Sequence, residues 1–71
     1  MNLDRLTPRQ LAIFERIGQG MQWKRIAAKL GITEGTVKSQ AYLIYRKLGC
    51  SSRVEVIRFC AARDAKGDRN G

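Results

Sequence analysis

The run Leu30-Gly31-Ile32-Thr33 constrains this chain more than any other. Before it, Trp23, Ile26, Ala27 and Leu30 recur at the three- and four-residue steps of an α-helix; after it, Val37, Ala41, Ile44 and Leu48 do the same. Gly31 can end the first helix with a positive φ, and Thr33 can cap the second. Two amphipathic helices are therefore joined by a turn too short to let them part, and both apolar stripes must enter one core. With 71 residues, 44% of them hydrophobic, the chain has material for one small core and no deep substrate pocket.

The flanking segments are helical as well. Thr7-Pro8-Arg9-Gln10 places a hydroxyl at the N-cap, proline at the first helical position and glutamine three residues after the threonine, the pattern of a capping box. The helix opening there is expected over 8-18, with Leu11, Ile13, Phe14 and Ile17 turned inward and Gly18 and Gly20 as its end. The second helix is expected over 23-30 with a weak N-cap, Gln22, and the third over 34-48. Ser52-Arg53-Val54-Glu55 reads as a second capping box opening a fourth helix over 53-63. That helix carries two apolar stripes, Val54, Ile57 and Ala61 on one side and Val56, Phe59, Cys60 and Arg63 on another. A terminal helix needs one buried stripe. The second predicts a homodimer through Val56, Phe59, Cys60 and Arg63; burial of one wide stripe within the monomer is the other reading. Residues 64-71 are polar and are expected to form a flexible tail. No strand alternation or repeat is present, so the fold class is all-α: one domain over 1-63 made of four helices.

The charge is unevenly placed. The chain carries a formal net charge of +8, and residues 23-53 hold Lys24, Arg25, Lys29, Lys38, Arg46, Lys47 and Arg53 against Glu34 alone, a net +6. A plain solvated face is one explanation and a polyanion partner the other. The chain has no histidine and two cysteines, too few parts for a zinc site or a histidine general base, so neither an enzyme nor a cofactor or metal is expected. Cys50 and Cys60 read as free thiols filling small apolar spaces. No apolar run approaches the roughly 18 residues of a membrane span, and no leader follows Met1, so a cytoplasmic protein with no membrane partner is expected. With five residues before Leu6, no receiver or ligand-sensing domain is expected ahead of the module.

Two helices joined by a short glycine turn, the second with an exposed basic face, are the ingredients of a helix-turn-helix. Lys38, Tyr42 and Arg46 stand four apart on that face with Ser39 adjacent, which makes double-stranded DNA the expected partner. Lys38 is placed for a phosphate or a guanine edge, and Thr36 for a phosphate or for packing in the turn. Ser39 and Tyr42 read either as base contacts or as surface residues; Arg46, Lys47 and Arg53 read as backbone clamps, with Lys24 and Arg25 adding to the DNA-facing charge. Trp23 is expected in the core, a contact to DNA or protein being the alternative.

In its order of residues the chain resembles the LuxR/GerE-type helix-turn-helix domain of bacterial transcription regulators. The resemblance runs from Leu6 to about Ile57. It is carried by Leu6-Thr7-Pro8-Arg9, Gly20, Lys24, Ile26-Ala27, Leu30, Ile32-Thr33, Thr36-Val37-Lys38, Ile44, Lys47-Leu48 and Ser52-Arg53. It implies a four-helix DNA-binding fold with the third helix in the major groove and dimerisation through the fourth. The chain departs from the pattern at Gln10, where glutamate is usual, at Trp23 and Leu43, where asparagine is frequent or common, and at Arg25 and Gln40, where glutamate and histidine are frequent. The expected function is that of a sequence-specific, dimeric transcriptional regulator. The alternative is a small interaction protein that pairs with a larger regulator through Val56 and Phe59. A third reading is a non-specific or RNA polymerase-associated basic module resembling the DNA-binding part of a sigma factor.

Overall fold

The structure is a computed structural model describing the backbone of residues 1–69 and the side chains of residues 1–65. A 3-10 turn, Leu3–Arg5, precedes four helices: α1 (Pro8–Gly18), α2 (Trp23–Leu30), α3 (Glu34–Leu48) and α4 (Arg53–Arg69); no strand occurs among the described residues. The capping box of α1 forms in both directions. Thr7 Oγ1 accepts from the Gln10 amide at 3.1 Å, and Gln10 Oε1 accepts from the Thr7 amide at 3.1 Å. Gln22 provides no side-chain cap for α2, and Thr33 caps α3 by accepting from the Thr36 amide at 3.1 Å.

The α2–α3 turn closes as the glycine dictates. Gly31 sits at φ 68, and the following Ile32 amide donates to the Ala27 carbonyl at 3.0 Å, satisfying a helix-end acceptor while the chain reverses into Thr33. The ends of α1 and α3 close in the same way around Gly20 and Gly49.

The core is the meeting of one face from each helix: Ile13, Phe14 and Ile17 of α1, Ile26 and Ala27 of α2, Val37, Ala41 and Ile44 of α3, and Val56 and Cys60 of α4. Helix α1 packs on α4 and α3, and α2 packs on α3. Leu3, Leu6, Trp23, Leu30 and Leu48 close the margins of this core. On α1 the inward face differs from the expected one. Leu11 is exposed, and Gln10 takes the buried position on the i, i+3, i+4, i+7 stripe with Ile13, Phe14 and Ile17.

On α4 the stripe expected to meet a second protomer is the one that meets α1. Val56 is fully buried, Cys60 is buried, and Phe59 stands edge-on to Phe14 with ring centroids 6.1 Å apart. Arg63 donates to both carboxylate oxygens of Glu15, at 2.9 and 3.1 Å. Of the dimer contacts read from Val56, Phe59, Cys60 and Arg63, Val56 and Cys60 are corrected, being buried within the monomer, whereas Phe59 and Arg63 touch α1 and stay half-exposed. The outward stripe contains Val54, 53% exposed, and exposed Ala61.

Helix α4 also continues to Arg69, beyond the expected end at residue 63. Residues 64–69 of the expected flexible tail are thus helical, because Ala65, Lys66 and Arg69 are good helix formers and the cost of Gly67, about 1 kcal/mol, does not stop the helix. Residues 70–71 of that tail lie outside the described residues. Glu55 does reach back at the start of α4, but its carboxylate accepts from the Ser51 amide, one residue earlier than the capping-box reading has it.

Gly18, read as a helix terminator, is the last residue of α1 and serves packing instead. A Cβ there would fall within contact distance of Cys60 Sγ and 2.8 Å from Cys60 Cβ. Gly18→Ala is therefore expected to destabilise the fold by about 2 kcal/mol through overpacking at the α1–α4 crossing. Urea denaturation measures the loss, and Cys60→Ala in the same background should restore part of it.

Candidate nucleic-acid interface

Helix α3 has one face in the core and the other in solvent. Val37, Ala41 and Ile44 are buried, while Thr36, Lys38, Ser39, Tyr42 and Arg46 are exposed. The 100° step per residue produces this division, since positions 38, 42 and 46 follow one another along one side of the helix. Tyr42 is 61% exposed, and the Arg46 guanidinium lies 5.8 Å from its ring centroid, so one aromatic and one cation project together. Lys38 approaches Glu34 at 3.6 Å, an exposed i, i+4 pair. Such pairs are worth about 0.3–0.5 kcal/mol, little enough for a phosphate to displace the carboxylate. The Thr36 hydroxyl is 2.9 Å from that of Thr33, at the exposed first turn of α3.

Beside this face, the starts of α2, α3 and α4 border an open groove of about 600 Å3, lined in part by Trp23, Lys24, Glu34 and Arg53. Lys24 and Arg25 are exposed on the first turn of α2, whose amides lack a side-chain cap. A helix N-terminus with adjacent cations favours an anion. Arg53 is committed elsewhere: its guanidinium stacks 4.1 Å from the centroid of Trp23 and donates to the Met21 carbonyl at 2.6 Å. Lys47 is committed too, donating to Gln10 Oε1 at 2.7 Å.

Comparison with known proteins bears on this arrangement directly. The family profile described as "Bacterial regulatory proteins, luxR family" matches residues 4–60. The chain belongs to the luxR family. It is 41% identical over 56 residues to the transcriptional regulatory protein YdfI of Bacillus subtilis, which covers 79% of this chain and 26% of that relative. It is 43% identical over 54 residues to the nitrate/nitrite response regulator protein NarL of Escherichia coli, covering 76% of this chain and 25% of NarL. With the E. coli transcriptional regulatory protein UhpA the identity is 42% over 55 residues, 78% of this chain and 28% of UhpA. The chain thus spans about a quarter of the length of these curated relatives. The four helices constitute the family's DNA-binding helix-turn-helix domain.

Within this luxR-family domain the site residues read from sequence fall into two groups. Thr36, Lys38, Ser39, Tyr42 and Arg46 lie together on exposed α3, with Lys24 and Arg25 exposed on neighbouring α2. Lys47 and Arg53, read as backbone clamps, are half-buried and occupied by Gln10 and by Trp23 with Met21. Trp23 itself is half-buried at the core margin. The sequence reading missed two features, the Gln10–Gln40–Lys47 contact and the position of Glu34 against Lys38. The first had a signal: Gln10 shares the stripe of Ile13, Phe14 and Ile17 and so had to be buried.

Three buried or half-buried groups of the domain, Tyr45, Cys50 and Cys60, hold their protons more firmly than usual. Burial pushes the Cys60 thiol up against the opposing pull of Arg63, and burial with Glu55 raises Cys50, so both thiols are poor nucleophiles at neutral pH. Burial likewise raises the Tyr45 phenol, with Arg53 opposing, and no polar group among the described residues reaches the Tyr45 hydroxyl. A raised phenol keeps its proton in the folded state where the unfolded chain loses it. Stability from this group is therefore complete below about pH 10 and declines as pH rises from there through the folded value. Tyr45→Phe is expected to be neutral or stabilising by up to about 1 kcal/mol at neutral pH, since it removes an unsatisfied hydroxyl. Its advantage over the parent should grow in urea titrations between pH 8 and pH 11.

Proposed function

We propose that this domain binds duplex DNA sequence-selectively as a dimer, with α3 lying in the major groove. The observation that carries the reading is the exposed face of α3, where Lys38, Ser39 and Tyr42 project together, away from the buried Val37, Ala41 and Ile44. Lys38, Ser39 and Tyr42 face base edges, and Thr36, Arg46, Lys24 and Arg25 face phosphates on either side. The net +6 over residues 23-53 draws the domain to the polyanion, and the α3 side chains discriminate among sequences. Membership of a family of bacterial regulatory proteins supports a role in transcription regulation, and the regulatory names of YdfI, NarL and UhpA agree with it.

Dimerisation in this proposal uses the outward stripe of α4, beginning at Val54, rather than Val56 and Phe59. A twofold axis there would match half-sites about one helical turn apart. The reading as an interaction protein keeps only part of its stated surface, because Val56 is buried against α1 while Phe59 is half-exposed beside Phe14.

Fluorescence anisotropy tests the DNA reading, with duplexes selected from a random pool, scrambled controls and two salt concentrations. Selectivity of about 1000-fold is expected. Weak, equal binding that vanishes with salt would overturn the reading. Lys38→Ala and Tyr42→Ala should each reduce affinity for the selected duplex about tenfold or more with circular dichroism unchanged; full affinity in both would exclude this face of α3. Val54→Asp, at a position 53% exposed, should leave the monomer folded. Sedimentation on a two-half-site duplex should then show one protomer bound where the parent shows two.

A further inference from the structure

Gln10 is a polar side chain, 5% exposed, at the α1–α3 contact. Its hydrogen bonds determine its orientation. The Thr7 amide at 3.1 Å and the Lys47 ammonium at 2.7 Å are both donors, so the atom between them must be the amide oxygen. The nitrogen, Nε2, then faces Gln40 Oε1 at 3.1 Å and donates to it. One side chain on α1 thus grips α3 at two points, 40 and 47, about two turns apart along the helix. Two anchors at that separation oppose both rotation of α3 about its axis and tilting of its C-terminal half.

The DNA-facing residues lie on the same rigid rod. Ser39 directly precedes Gln40, and Arg46 directly precedes Lys47, so each anchor is one residue from a side chain of the exposed face. A small turn of α3 would displace all of those side chains together, and base readout depends on their placement far more than phosphate attraction does.

We propose that Gln10 and Lys47 are positioning residues for base recognition: Gln10 holds α3 in register through Gln40 and Lys47, and Lys47 acts through Gln10 rather than on a DNA phosphate. This rests on the DNA-binding reading above. It separates two roles for lysine on one helix, Lys38 facing the ligand and Lys47 fixing the frame.

The test is a double-mutant cycle of Gln10→Leu, Lys47→Met and their combination. Its probes are a duplex selected by the parent protein from a random pool and a scrambled duplex of equal length, titrated over a salt series. Each single variant should lower selectivity about tenfold or more, Gln10→Leu the further because it also removes the Gln40 and Thr7 contacts, and the double variant should match Gln10→Leu, since Lys47 then has no partner left to lose. The salt slope of Lys47→Met should stay at the parent value. A slope reduced by about 0.9 with equal weakening on both duplexes would identify Lys47 as a phosphate clamp and overturn the proposal. Additive losses in the double variant would overturn it equally. Lys47 is only half-buried, so Lys47→Met retains the fold even if Gln10→Leu does not. An arm without DNA separates this proposal from the one beneath it. In 1H–15N spectra of the free protein, Lys47→Met should shift the Gln10 and Gln40 side-chain amide resonances, and unchanged resonances would refute the contact. If the parent protein instead shows no selectivity among duplexes, the DNA-binding reading fails while this spectrum still judges the grip.

Discussion

Everything in this fold depends on the burial of one face of α1. Ile13, Phe14 and Ile17 are fully buried, and α1 is the element on which both α3 and α4 pack. With so few fully buried side chains, no second cluster can compensate for a loss at the first, which is the usual condition of a domain this small. Phe14 is the largest of them and meets Phe59 edge-on. The tight passage of Gly18 against Cys60 lets α4 approach closely enough for that contact. Exposure of the α3 face follows indirectly: α2 and α1 cover one side of α3, and no helix among the described residues covers the other.

The same packing sorts the cations. A +8 chain of this size has many positive groups whose roles look alike in one dimension. Arg63 is consumed by Glu15, Arg53 by the Trp23 ring and the Met21 carbonyl, and Lys47 by Gln10. Lys24, Arg25 and Arg46 form no ion pair among the described residues, and Lys38 has only the weak exposed contact with Glu34. The distinction is physical. A cation with a short bond to a half-buried acceptor would have to give up that bond to reach a ligand, whereas an exposed one gives up only water.

Membership of the luxR family places this domain among the DNA-binding modules of bacterial regulators, and the named relatives are about three times its length. Inside that frame, polar groups of this chain pair across the seam between α1 and α3. An amide at position 10 meets an amide at position 40, an arrangement in which one must donate to the other, and the result ties the register of α3 to α1. On the proposed reading, base selectivity depends on residues in the core seam as well as on those that face solvent.

Helix existence was determined by the sequence alone, because its causes are local. Stripes at i, i+3 and i+4, threonines at two N-caps and glycines able to take positive φ placed α1, α2 and α3 at their observed limits. The exposed face of α3 was legible for the same reason, since periodicity fixes which side chains share a side. The end of α4 was not, because a helix losing its stripe but keeping good helix formers has no local stop signal. Nor was the choice between the two apolar stripes of α4. Both satisfy the helical period, and only the fit of Phe59 to Phe14, of Cys60 to Gly18 and of Arg63 to Glu15 decides which one α1 buries. Contacts such as Gln10 with Lys47, 37 positions apart, are set by the packing of whole helices: the α1 stripe tells that Gln10 is buried, and no local pattern tells which partners it meets.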